Sequence, residues 1–230
     1  MAKLQQPVLK KPFPQKEPPR TKPLSWLLVA LWVILSVGFG VAFYELIARV
    51  VESPERLLAV LGGMLAYVLV WALFLRGRDR FWRTFEHELT HVIFALLSFQ
   101  RVKHFRASAH KGGSIHHLGP RANFVISLAP YFFPTVSLLP LLLLFIVTPA
   151  AKPYIQFIVG FTLMYHVINP FEEARPYQTD LTNHGLVFSY AFIVLMNLVC
   201  LGIVLAISGF GGRAGWDYLM RGFEVLYLWI

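Results

Sequence analysis

The chain has 230 residues, of which 57% are hydrophobic and 14% charged, and its mean hydropathy is +0.59. A water-exposed globule of this composition would be insoluble, so the class indicated is an integral membrane protein. The formal net charge of +9 does not argue for nucleic acid, because the Lys and Arg residues cluster beside apolar runs, where an anionic bilayer surface holds them.

In chain order, the first region is residues 1–23. Up to Leu24 it carries six Lys or Arg, one Glu and six Pro. Such a segment cannot bury a core and is expected to be a flexible, basic, Pro-rich cytoplasmic tail. No small-residue cleavage site precedes the long apolar run, so no removed signal peptide is read. Residues 24–208 are expected to form one membrane-embedded domain. Within it, residues 24–47 and 57–75 are each long enough to cross about 30 Å of hydrocarbon. Residues 86–99 follow as a helix without Gly or Pro, and its apolar part, residues 89–99, reaches only about 16 Å. It is therefore expected to enter and leave the membrane on one side. A polar, basic stretch over residues 100–121 leads to the Pro-interrupted apolar run 122–147, then to the runs 153–168 and 185–207. The expected fold is an all-α multi-pass membrane protein with about five spans, a short re-entrant helix and an extended polar loop after it. Residues 209–230 mix Arg213, Asp217, Arg221 and Glu224 with Trp216, Phe223 and Trp229, the pattern of an interfacial amphipathic segment. The basic tail, and Arg76, Arg78, Arg80 and Arg83 after two crossings, put the N-terminus in the cytoplasm.

The short helix carries His87-Glu88-Leu89-Thr90-His91. Two histidines four apart project from one helix face, where both imidazoles can bind one zinc ion. Glu88 stands beside them as a base for a metal-bound water. The bland alternative makes His87 and His91 hydrogen-bonded core residues and Glu88 a salt-bridge partner, but so many polar groups in an apolar segment are costly without a task. Cys200 is the single cysteine and lies in an apolar run, so no disulfide framework or cysteine metal cluster exists. Any metal must be held by His and carboxylates. A catalytic zinc needs a third protein ligand and an open position, and the candidates are Asp180, Glu172, Glu173, His166, His184, His104, His110, His116 and His117. Asp180 is preferred, since it stands alone among neutral polar residues just before the last span, although Asp is equally favoured there as a helix N-cap. His184 is the reserve. Asn169 and Asn123 are candidates for a hydrogen bond to an oxyanion.

The order H-E-x-x-H, a helix end, a polar stretch with Gly112-Gly113, then Arg121 and Ala129-Pro130 opening an apolar run, resembles the site-2 protease family of intramembrane zinc metalloproteases. The likeness extends over roughly residues 84–185, with Asn169-Pro170, Pro176 and Asp180 in the family's order. Leu181 follows the aspartate where the family usually has Gly, and the proline-to-aspartate spacing is longer. The resemblance implies one zinc per chain held by His87, His91 and Asp180, with Glu88 as catalytic base. It further implies that Ser114 and Ile115, beyond Gly112 and Gly113, open an extended edge running to Leu118 on which substrate lies as an added strand, with Asn169 also in contact. The implied activity is hydrolysis of peptide bonds in membrane-spanning or membrane-proximal polypeptides. Partners are then a transmembrane protein substrate and the lipid bilayer, with no nucleic acid. The short basic tail and compact size suggest a bacterial inner membrane. Two other readings are a non-catalytic homologue that binds membrane proteins, against which an intact Glu88 argues, and a His/Glu-lined transporter, against which the lack of a repeated half-chain argues.

Overall fold

A computed structural model of the chain describes residues 23–106, 114–118 and 123–227. Its elements in order are α1 (Pro23–Glu52), α2 (Leu58–Val70) continuing into a wider π turn (Trp71–Leu75), α3 (Arg80–Leu97), β1 (Arg101–Arg106), β2 (Ser114–Leu118), α4 (Phe124–Leu128) with a 3-10 turn (Ala129–Tyr131), α5 (Thr135–Leu143), α6 (Lys152–Glu173), α7 (Thr179–Thr182), α8 (Leu186–Phe210) and α9 (Gly212–Tyr227).

Among the described residues, three helices are long and apolar enough to cross a membrane: α1, α2 with its π turn, and α8. The Pro-interrupted run is a bent pair, α4 with its 3-10 turn against α5, meeting at 73°, and it makes a fourth if the pair crosses as one. Pro130 and Pro134 flank the bend, where a missing N–H and a fixed φ stop a helix from continuing. The carbonyl of Tyr131 left free at the break accepts a hydrogen bond from Asn197 Nδ2 at 2.9 Å. The helix α6 has the length of a span, 22 residues, but Gln156, His166 and Asn169 lower its hydropathy and keep it out of that set. The sequence count of five spans is not reached among the described residues: three helices qualify, four if the bent pair crosses as one, and α6 falls short on hydropathy.

Two groups of helices pack at close range. In the first, α2 crosses α6, and a Cβ at Gly63 would lie 1.9 Å from the Phe157 carbonyl oxygen while one at Gly160 would lie 1.9 Å from that of Val60. Small residues let the two backbones touch, which is how helices associate where lipid offers no hydrophobic drive. In the second group, α1, α8 and α9 pack together through Gly38 and Gly222 and through Gly202, against which the Tyr218 ring lies. The C-terminal segment forms α9, whose Tyr218 and Val225 are buried and which packs on α1 and α8.

The helix α3 is polar inside and apolar outside. Glu86, Glu88, Thr90 and His91 are buried, whereas Phe81, Trp82, Leu96 and Leu97 are exposed, the arrangement that a lipid surround selects. Arg83 anchors its start, pairing with Asp79 at 3.1 Å and with Glu172 at the end of α6. Thr90 Oγ1 meets Thr135 Oγ1 of α5 at 2.6 Å. After α3, the stretch expected as an extended polar loop contains an antiparallel two-stranded hairpin, with Arg101 opposite Leu118 and Arg106 opposite Ser114, and an irregularity between Val102 and His104. The hairpin packs beside α3.

Candidate metal centre

The helical repeat places His87 and His91 on the inner face of α3, with imidazole centroids 4.8 Å apart. His91 Nδ1 lies 2.8 Å from the carbonyl oxygen of Ile126. A carbonyl only accepts, so Nδ1 carries the proton and Nε2 presents a bare lone pair. That lone pair faces His87 Nε2 at 3.1 Å. Asp180 Oδ2 completes a triangle, 3.4 Å from His87 Nε2 and 3.7 Å from His91 Nε2. Among the described residues, these three form the group of His, Cys and carboxylate side chains that could share one metal ion.

The triangle can be tested against zinc. Tetrahedral bonds of about 2.0–2.1 Å separate neighbouring ligand atoms by about 3.3 Å, and the three observed sides, 3.1, 3.4 and 3.7 Å, bracket that value. The donor set, two neutral imidazoles and one carboxylate, is also one that catalytic zinc uses. The residues therefore fit the ion that the sequence implies. The Ile126 carbonyl supplies the outer hydrogen bond that fixes a ligating imidazole.

Asp180 reaches the centre because α7 is fastened to its neighbours. Leu181 is fully buried, and its carbonyl accepts from Ser189 Oγ of α8 at 2.9 Å. The chain then turns into α8 at Gly185, whose φ of +89° suits glycine. Gln178 caps α7 and Gly185 caps α8, so Asp180 serves neither as the N-cap that its residue type also allowed. Burial works against ionisation of its carboxyl, but without a metal the His87 and His91 rings, when protonated, outweigh this by hydrogen bonds and charge and hold it well below the usual carboxylate range. His184, the reserve, lies outside the triangle, its ring 6.5 Å from that of Phe124 and 6.4 Å from that of Phe188. Burial lowers its basicity, opposed by the Asp180 charge.

Glu88 is 8% exposed, a buried carboxylate that directly follows His87 on the same helix. Asn169, also buried, donates from Nδ2 to Glu86 Oε2 at 3.4 Å, so its amide is directed at α3 rather than at the triangle. Asn123 is the N-cap of α4, accepting from the Ile126 amide at 2.9 Å, which anchors the segment whose carbonyl holds His91. Ser114 and Ile115 lie on β2, opposite Arg106 and Phe105 of β1. Gly112, Gly113 and His110 lie outside the described residues. Of the other ligand candidates, His166 is interior on α6, Glu172 is paired with Arg83, and His104 stands opposite His116 in the hairpin register.

Tyr131 escaped the sequence reading. Its hydroxyl donates to Asp180 Oδ2 at 3.4 Å, and its ring stands edge-on to His87 with centroids 5.4 Å apart. The available signal was a tyrosine in an apolar run directly after Ala129-Pro130, since a buried tyrosine hydroxyl needs a partner. Glu86, directly before the motif, is buried on α3 and accepts from Asn169, a pairing between distant segments that no local pattern marks.

The Peptidase M50B-like family model matches residues 58–170, a segment that contains His87, Glu88, His91 and Tyr131 and stops short of Asp180. No curated protein matches the chain, and neither does any solved structure.

Proposed function

The chain belongs to the site-2 protease family, and from that premise we propose that it is an intramembrane zinc metalloendopeptidase acting on membrane-spanning or membrane-proximal polypeptides. The observation that carries this reading is the triangle of His87 Nε2, His91 Nε2 and Asp180 Oδ2, sized for one zinc, with the buried Glu88 next to His87 in the chain.

A zinc ion held by these three residues would polarise a peptide carbonyl and bring the pKa of a bound water to about 7. Glu88 accepts the proton of the attacking water and returns it to the departing amine. His91, fixed by the Ile126 carbonyl, and Asp180, fixed by Tyr131 and by α7, hold the site rigid through the cycle. Burial of Glu88 in the protein interior strengthens its interaction with developing charge. A substrate helix hides its carbonyls in its own hydrogen bonds, so it must open locally before attack. The hairpin beside α3 has strand edges on which an opened segment can pair, with Ser114 and Ile115 on the β2 edge. We further propose a cytoplasmic N-terminus, a re-entrant course for α3 and a bacterial inner membrane as the setting.

The test is zinc content and cleavage on the detergent-purified full chain, with a single-span model polypeptide carrying a helix-breaking residue as substrate. Wild type and Glu88→Gln should each hold about one zinc; His87→Ala and Asp180→Ala should hold none. Glu88→Gln should cut at least about a hundredfold more slowly. Wild-type protein that holds zinc but does not cut, or whose rate Glu88→Gln leaves unchanged, would overturn the proposal.

A further inference from the structure

A second polar constellation lies away from the metal centre, at the end of the molecule where α1 and α8 finish. There a cavity of about 390 Å³ opens between α1, α8 and α9, within the range of roughly 300–1,000 Å³ typical of small-molecule sites. Its apolar wall comes from Leu46, Ala206 and Phe210, and its charges are Glu45, Arg49, Asp217, Arg221 and Glu224.

The cavity lies where the candidate spans α1 and α8 end. Arg49 is in the last turn of α1 and Phe210 is the last residue of α8. Exposed aromatic residues flank it, Tyr44 next to Glu45 and Trp216 next to Asp217, and Tyr and Trp mark the headgroup layer of a bilayer. The charged side of α9 faces outward here, and acyl chains are a poor neighbour for charge. A polar lipid headgroup is the bilayer component that can lie against it.

The pairing within the cavity selects the kind of headgroup. Arg221 is occupied, gripping Glu45 with Nε at 2.8 Å and Nη2 at 2.7 Å while Nη1 holds Glu224 at 3.0 Å. Among the described residues, Arg49 and Asp217 have no ion pair or hydrogen bond through their side chains, although the Arg49 charge acts at longer range on Glu45. One cation and one anion are therefore available. Counting all five charges, three acids against two arginines, the cavity is net negative by one, which disfavours an anionic headgroup. A zwitterion satisfies both free groups, and a primary ammonium can donate hydrogen bonds to a carboxylate where a quaternary one cannot.

We propose that this cavity binds the headgroup of a phospholipid with a primary amine, its phosphate at Arg49 and its ammonium at Asp217. The site adds a lipid contact that clamps α9 onto α1, and it is independent of the metal chemistry.

The experiment reconstitutes the full chain in vesicles of equal parts dioleoyl phosphatidylethanolamine, phosphatidylcholine and phosphatidylglycerol. The protein is recovered in mild detergent and its retained lipids are counted by mass spectrometry. Phosphatidylethanolamine should be enriched severalfold over both others, and Arg49→Gln and Asp217→Asn should each abolish the enrichment while leaving helical content by circular dichroism unchanged. Equal retention of the three lipids would overturn the proposal, as would enrichment of phosphatidylglycerol, which assigns an anionic site instead. Enrichment that survives both substitutions places the lipid elsewhere. Inorganic phosphate that raises the unfolding temperature of delipidated protein as much as phosphatidylethanolamine does would replace the lipid by a free anion. The contrast among lipids in the wild type decides the matter even if either variant fails to fold.

Discussion

At the metal centre, single atoms set the chemistry. The Ile126 carbonyl dictates the tautomer of His91 and so directs one lone pair at the ligand triangle. Tyr131 acts on Asp180 in the same way, by a hydrogen bond to Oδ2, the oxygen that faces the two histidines. Tyr131→Phe should therefore weaken zinc affinity about tenfold, the lower range for an outer-shell partner, while saturating zinc restores full occupancy; competition with a chromogenic chelator measures this. The choice of third ligand is equally open to test. Asp180→Asn should lose the zinc that His184→Ala retains, because Asp180 Oδ2 is 3.4 Å from His87 Nε2 and the His184 ring stands among Phe124 and Phe188. Elemental analysis of the two variants distinguishes them, and the opposite pattern would transfer the role to His184.

At the scale of elements, α3 is legible from its sequence in outline but not in orientation. The motif fixes which face could hold metal, since spacing of four puts both histidines on one side. The same sequence does not reveal that the apolar residues Phe81, Trp82, Leu96 and Leu97 point outward, because lipid and protein interior are equally apolar neighbours for them. The close approach of α2 and α6 was likewise not apparent, since Gly63 and Gly160 lie ninety-seven residues apart in sequence and a glycine in an apolar helix carries no label for its partner. Their contact gives a sharp prediction. Gly160→Ala puts a methyl group 1.9 Å from the Val60 carbonyl and should destabilise by about 1–3 kcal/mol as the helices separate. Gly40→Ala, whose Cβ meets nothing within 4 Å, should be neutral or stabilise by up to about 1 kcal/mol through helix propensity. Thermal unfolding in one detergent compares the two.

Across the whole molecule, the triangle ties α3 to α7 between residues 93 positions apart. A ligand that binds only this folded arrangement stabilises it by mass action, by about 4 kcal/mol when its concentration is a thousand times its dissociation constant. Removing zinc with a chelator should lower the unfolding temperature by several degrees, at about 2–4 °C per kcal/mol for a chain of this size, and added zinc should restore it. Asp180→Asn should melt at the same temperature with and without chelator. A wild-type melting temperature indifferent to chelator would mean that the triangle does not hold a structural share of the fold.

What the sequence by itself determined is what depends on local spacing and on composition. Hydropathy made the chain a membrane protein, the helical period paired His87 with His91, and Pro130 and Pro134 interrupted the apolar run where α4 and α5 now bend. The tertiary structure decided whatever needed two distant segments to meet. It brought Asp180 rather than His184 to the two histidines, turned the Asn169 amide towards Glu86, set Tyr131 on Asp180, and laid α9 along α1 and α8. The reason is physical: a side chain's residue type states what partner it can accept, but which partner arrives depends on helix packing, and that is governed by close contacts such as Gly63 with Phe157 and Gly160 with Val60, whose energies are invisible one segment at a time.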